Sequence, residues 1–268
     1  MIALPLALGG APAHADGKTD QRLFESRQVF ESFANLSEQA IPVWLLERSY
    51  GIVVVPNLIK GALGIGGRGG RGVMAVRNPD GTWSNPVFVT LGGVNFGFQF
   101  GVQSTDVVMV LMSRQSVEGI ADGKVTLGAD ASVAAGPIGR AAAATTDATL
   151  NAQVLSYSRN EGLFAGVALD GTVIAIDDRS NETAYGVSGV LASQVIEGRV
   201  VQTPQEALEF KAALDRATNP AAAPAAAAAP AATGAASAAP PAPAAEPESE
   251  PATTAPMEDP SPGAPPPE

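Results

Sequence analysis

The chain has 268 residues, 46% of them hydrophobic, with 27 acidic residues against 16 basic ones, a net charge of −11, no cysteine and one histidine. Without cysteine there is no disulfide framework, and beyond His14 neither Ser–His nor Cys–His nucleophile pairs nor the usual zinc sites can form. What remains is carboxylate, Lys, Tyr or Ser chemistry, which argues against an enzyme, and an acidic chain without a basic stripe argues against nucleic-acid binding.

The first fifteen residues, MIALPLALGGAPAHA, are apolar and end in Ala13-His14-Ala15. This small-x-small pattern marks a signal-peptide cleavage site, so residues 1–15 are expected to be a leader and the protein to be exported, although a charged n-region is missing. A globular domain is expected over 16–217, long enough for a proper core. Residues 218–268 read as a disordered, partly polyproline tail, because Ala, Pro, Ser, Thr and acids bury too little apolar area to offset the entropy of ordering. Six acids and no basic residue sit there, which leaves the rest only mildly acidic.

Thr19 to Leu36 is helix-like, with Leu23, Phe30 and Phe33 near helical spacing and Arg22, Arg27 and Glu31 between them. A second short helix is expected from Pro42, carrying Val43, Leu45 and Leu46. After Gly51 the period becomes two. Strands are expected near 52–55, 72–77, 86–91, 94–102, 106–112, 125–134, 150–158, 162–169 and 172–177, with a short helix around Arg114 to Ile120. Turns fall at Asn78-Pro79-Asp80-Gly81 and Asp122-Gly123, and Asp170-Gly171 carries a hairpin signal. Thr203-Pro204-Gln205-Glu206 reads as a capping box opening a C-terminal helix through Leu208, Phe210, Ala213 and Leu214. The expected fold is α+β and mostly antiparallel: a curled or barrel-like sheet with N-terminal helices and a C-terminal helix.

The stretch GIVVVPNLIKGALGIGGRGGRGVMAV sets Lys60, Arg68 and Arg71 among glycines. Uncovered backbone N–H groups beside cations suit an anionic oxygen such as a phosphate. The plainer reading is that the glycines only let strands bend and pack closely. Gly64, Gly66 and Gly69 match G-x-G-x-x-G, but a strand-like run follows where the dinucleotide fold needs a helix. Asp106, before an apolar strand, is either a catalytic carboxylate or a group that satisfies backbone N–H groups. Asp177, Asp178 and Glu182 are either an acidic ion site or a solvated turn.

From Val43 to about Tyr185 the chain resembles the SYLF domain family. The similar stretches are IPVWLLERSYGIVVVPNLIKGALGIGGRGGRGVMAV, DGTWSNPVFVTLGGVNFGFQFGVQSTDVVMVLMS, LGADASVAAGPIGRAAAATTD and SYSRNEGLFAGVALDGTVI. The resemblance implies the fold and a phospholipid-binding tendency. Lys60 matches a basic position before the family's glycine-rich segment, Arg68 lies where relatives often carry Lys or Arg, and Arg71 is less regular. The helix near Arg22 to Leu36 corresponds to a region that helps membrane contact in relatives.

These readings converge on an exported, non-enzymatic phospholipid-binding protein at a bacterial envelope membrane surface. Anionic headgroups would meet Lys60, Arg68, Arg71, Arg22 and Arg27, while Leu23 and Phe30 insert shallowly. No cofactor and no metal is expected. The partner would be an anionic phospholipid or membrane surface. The alternative is an envelope structural or interaction protein that works through its Ala/Pro-rich tail.

Overall fold

A computed structural model describes residues 17–34, 41–137, 151–160, 163–166 and 169–218. The expected leader and the tail beyond Thr218 lie outside the described residues, as do the last two residues of the first helix as read from sequence. The elements run α1 (Gly17–Ala34), α2 (Val43–Arg48), β1 (Gly51–Val76), β2 (Val87–Leu111), α3 (Arg114–Ala121), β3 (Lys124–Thr126) and β4 (Val133–Ala135). They continue with β5 (Val154–Asn160), β6 (Leu163–Gly166), β7 (Thr172–Ile176), α4 (Asp178–Tyr185), α5 (Ala192–Ile196) and α6 (Gln205–Thr218). No helix among the described residues is long and apolar enough to cross a membrane.

Among the described residues the sheet runs in the order β3-β7-β2-β5-β4, with β1 added against β2 and β6 against β5. All ladders are antiparallel except β4 on β5. The fold class therefore agrees with the sequence. Its dominant feature is the pairing of two very long strands, from Gly51 opposite Leu111 to Met74 opposite Val87.

Sequence reading split these strands into five. Their ends are apolar runs buried on both faces: Ile52–Val55 and Val73–Ala75 in β1, Val87–Val89 and Val107–Leu111 in β2. Such runs read clearly as strands. Glycines in the middles interrupt the side-chain pattern, although the backbone pairing continues through them.

The ribbon curls until β1 meets itself. The Tyr50 carbonyl accepts a 2.9 Å hydrogen bond from the Arg77 N–H, and a Cβ added to Gly72 would stand 2.0 Å from the Val54 carbonyl oxygen. The core fills this curl. Leu23, Phe30 and Phe33 of α1 and Phe210 and Leu214 of α6 are fully buried in it, with Phe30 edge-on to Phe210 at 6.4 Å between ring centroids.

Three local expectations change. The Asp170-Gly171 turn forms, with Gly171 at φ 70°, but β6 pairs with β5 and β7 with β2 and β3, so it joins no hairpin. The expected 125–134 strand is interrupted after Thr126. The Asp130 carboxylate accepts from the Thr126 N–H at 2.7 Å, and Gly128 sits at φ 87°, which together close a turn. Two helices, α4 and α5, were not read from the sequence. Asp177 caps α4 by accepting from the Ser180 N–H at 3.2 Å, and Gly186 ends it at φ 66°.

Candidate anion-binding ribbon

Two irregularities set which side chains the ribbon presents. Val55 pairs with Val107 and Leu58 with Thr105, so Pro56 and Asn57 together oppose Asp106. This is a β-bulge, where a proline without an N–H is tolerated. Asn57 takes φ 51°, and its N–H donates to the Asp106 carboxylate at 3.1 Å. The second shift leaves residue 63 opposite residues 98–100.

After the bulge the alternation is regular. Leu58, Gly66 and Gly72 are buried and Lys60, Arg68 and Gly70 half-buried, whereas Ile59, Gly67, Gly69 and Arg71 are exposed. The even positions line the inner face of the curl. A Cβ on Gly70 would meet Val55 and Leu58 side chains at 2.8 and 2.9 Å. Glycine at 70 and 72 is thus required by close approach, as the plainer reading held, while Gly67 and Gly69 leave ordinary space.

Lys60 and Arg68 share this inner face. Partial burial, and secondly the positive charge of Arg68, hold the Lys60 ammonium below its ordinary pKa. The Arg68 stem runs over Gly93, its cross-strand partner, where a Cβ would stand 3.3 Å away. Among the described residues Lys60 and Arg71 join none of the ion pairs. Neither Lys60 nor Arg68 projects freely into solvent as their sequence context suggested. Arg71 lies on the opposite, outer face.

The other candidates are not on this surface. Arg22 pairs with Asp177 at 3.0 Å, lies 5.2 Å over the Phe88 ring and is nearly buried. Arg27 meets Glu209 at 3.2 Å and stands over Phe24, tying α1 to α6. Leu23 and Phe30 are core residues, so shallow insertion through them is corrected: the apolar stripe of α1 is already occupied. Asp106, Asp177 and Glu182 hold local structure. Asp106 receives Arg159 at 2.7 Å besides the Asn57 N–H, and Asp177 caps α4. Glu182 accepts from the Gly189 N–H at 2.7 Å. No cluster able to hold a metal occurs among the described residues.

The sequence reading missed the ribbon's exposed apolar residues. Ile59 is 54% exposed, Val94 66% and Val102 82%. Ile59 and Val102 fall on one face because Gly61, two residues after Ile59, pairs with Val102. Locating the bulge at Pro56-Asn57 would have been needed to place Ile59 outward.

The curled sheet thus gathers cations and exposed aliphatics on its glycine-rich ribbon, while Asp106, Asp177 and Glu182 are engaged in local hydrogen bonds and ion pairs. Residues 92–217 match the family model Ysc84, described as Las17-binding protein actin regulator. LAS seventeen-binding protein 3 of Saccharomyces cerevisiae is 36% identical over 186 residues, covering 68% of this chain and 40% of that protein. Protein YSC84 of the same yeast is 37% identical over 171 residues, 63% of this chain and 36% of its own length. SH3 domain-containing YSC84-like protein 1 of Xenopus laevis is 29% identical over 213 residues, 77% and 62% of the two chains. The chain carries a SYLF (Ysc84) domain and belongs to that family. It spans about 40% of the length of the first of these yeast relatives.

Proposed function

We propose that this domain is a non-enzymatic binder of anionic phospholipid surfaces and that its glycine-rich ribbon makes the contact. The observation that carries the reading is the convergence of Lys60 and Arg68 on one face of a ribbon whose other face exposes Ile59, Val94, Val102 and Arg71. A sheet occupies about 10 Å from face to face, comparable with the depth of the interfacial layer, so the ribbon fits within it with both faces in contact. One side offers charge to a phosphate, the other apolar area to the acyl boundary. Each cation near an anionic surface contributes on the order of 1 kcal/mol, so the aliphatic contact must add to it. The names of the family model and of LAS seventeen-binding protein 3 describe binding and regulation rather than catalysis, which supports the non-enzymatic part. Export to a bacterial envelope, as a peripheral protein, belongs to the same proposal and rests on the Met1–Ala15 segment alone.

Vesicle flotation tests it. The full chain should float with vesicles rich in phosphatidic acid or cardiolipin and poorly with neutral ones. Lys60→Ala with Arg68→Ala should lose most of that recovery at low salt, and Val102→Asp should weaken it at every salt concentration. Equal flotation with neutral lipid, or a double variant that floats like the parent, would sink the reading.

A second reading has its own observation: the matching family model and one of the yeast relatives are named for binding a protein. In that case the domain, or its Ala/Pro-rich tail, recruits a protein partner at the envelope. A chain that ignores all vesicles but co-purifies with one envelope protein would favour it.

A further inference from the structure

Where the start of β1 crosses its own end lies an open cleft of about 700 Å³, a size common among small-ligand pockets. Val76, Val117, Ala121 and Ile196 give it an apolar lining, and Tyr50 adds a ring that is 43% exposed. Its charges come chiefly from α3. Arg114 opens that helix, Glu118 follows one turn later and Asp122 is its C-cap, and all three are exposed on the cleft wall. Nothing in the lipid reading uses these residues.

Helices ordinarily carry acids in the first turn and bases in the last, because these offset the helix dipole. In α3 the order is reversed: no acid stands in its first turn and no base in its last. Arg114 adds to the positive end, and Glu118 and Asp122 add to the negative one. Pairing does not relieve this. Arg114 and Glu118 have the spacing at which helical side chains meet, yet neither they nor Asp122 join any ion pair among the described residues. The Arg114 guanidinium lies instead 5.9 Å over the Tyr50 ring. The helix thus holds opposite charges apart along the cleft, at a cost to its own stability.

We infer that this cleft binds a short free peptide of about three residues, its C-terminal carboxylate at Arg114 and its N-terminal ammonium at Glu118 and Asp122. Charge gives the direction. A ligand with a single charge gains at one end and gains nothing, or loses, at the other, whereas a dipolar one gains at both. Arg77 strengthens the cationic end: its N–H donates to the Tyr50 carbonyl, and its Nη1 is held by the Leu46 and Glu47 carbonyls. Length is the second argument. With a rise of about 1.5 Å per residue, Arg114 stands about 6 Å from Glu118 and about 12 Å from Asp122 along the helix. An extended tripeptide spans roughly 10 Å. Wall chemistry is the third. The Asn78 amide and the Ser193 hydroxyl suit peptide groups, and the aliphatic lining suits small apolar side chains.

Titration of the isotope-labelled full chain with trialanine, its C-terminal amide and its N-acetyl form tests this on the unaltered protein. Trialanine should give saturable shifts at the amides of Tyr50, Val117, Asp122 and Ile196. Each capped form lacks one charge and should bind roughly threefold to tenfold more weakly. Variants then assign the ends. Arg114→Gln should weaken trialanine and the N-acetyl form while leaving the amide form unchanged. Glu118→Gln with Asp122→Asn should weaken trialanine and the amide form while leaving the N-acetyl form unchanged. All three side chains are exposed, so the rest of the amide spectrum should stay in place. No saturable shift, shifts outside the cleft, or equal affinity for the three peptides overturns the proposal. So do losses that do not follow the charge removed. These readouts need no lipid, so they stand or fall apart from the ribbon's role.

Discussion

Gly72 lies against the backbone of Val54 in its own strand, so close that a methyl group on it would stand 2.0 Å from the Val54 carbonyl oxygen. The obstacle is backbone at the centre of the curl, and it cannot yield as a flexible side chain can. Gly72→Ala should therefore destabilise the domain by roughly 1–3 kcal/mol or more, through forced backbone shifts. Gly69→Ala, whose nearest neighbour would be 3.9 Å away, should melt close to the parent. Paired thermal denaturation curves check this, and equal melting of the two variants contradicts the crossing of β1 on itself.

The cations should separate into two groups by stability. Arg22→Ala removes a nearly buried partner of Asp177 and uncovers the Phe88 ring. It should cost roughly 1–3 kcal/mol, since a charge-assisted hydrogen bond is lost and the carboxylate keeps only its Ser180 partners. Arg71→Ala, exposed and outside the ion pairs of the described residues, should change stability by under about 0.5 kcal/mol. Urea titrations of both variants decide it.

Acid should act on two carboxylates in opposite directions. Burial pushes the Asp177 carboxyl up, but the Ser180 hydroxyl and N–H and the Arg22 guanidinium outweigh it and hold the group below its ordinary value. A carboxyl lowered on folding contributes stability above its unfolded pKa, and that contribution is lost as pH falls through the folded one. Glu206 is raised, first by burial and then by Glu209 and Asp20 against the pull of Arg27. For it the folded state holds the proton longer, so stability declines as pH climbs from the ordinary glutamate range to the folded value. Asp177→Asn should flatten the acid limb of a melting-temperature-against-pH curve. Glu206→Gln should raise the melting temperature at neutral pH, and a fall there would show that its contact with Arg27 dominates.

Lys60 should report its own surroundings. Nitrogen-detected NMR of the Lys60 side chain should show an ammonium that titrates below the ordinary lysine value. Arg68→Ala should move it upward, because one of the two causes of its shift is removed. Anionic lipid should move it upward as well, by supplying the missing negative charge. An unshifted Lys60 signal in the parent would place it outside the curl.

Sequence reading went furthest where periodicity and local cues sufficed. The α1 stripe, the Pro42 and Pro204 helix starts, α3 and the buried ends of β1 and β2 were legible from spacing alone. Continuity through the glycines was not, since backbone pairing supplies it and no side-chain pattern records it. Partners distant in sequence were equally hidden. Arg22 and Arg27 look like free cations until Asp177, Glu206 and Glu209 arrive from more than a hundred residues away. Leu23 and Phe30 look like a membrane face until Phe210 covers it. The candidate site was half legible: its residues were named from glycine and charge, but which of them share a face follows from the bulge at Pro56-Asn57.

That bulge carries a spare unit of chain length. Val55 and Leu58 point the same way only because two residues, Pro56 and Asn57, occupy one pairing step. A chain that lost Asn57 would become a regular strand with Leu58 and Lys60 still turned inward. Loss of Ile59, one pairing step further on, would turn Lys60 to the outside. A one-residue deletion therefore keeps the face of residue 60 when it falls at the bulge and inverts it when it falls one pairing step later.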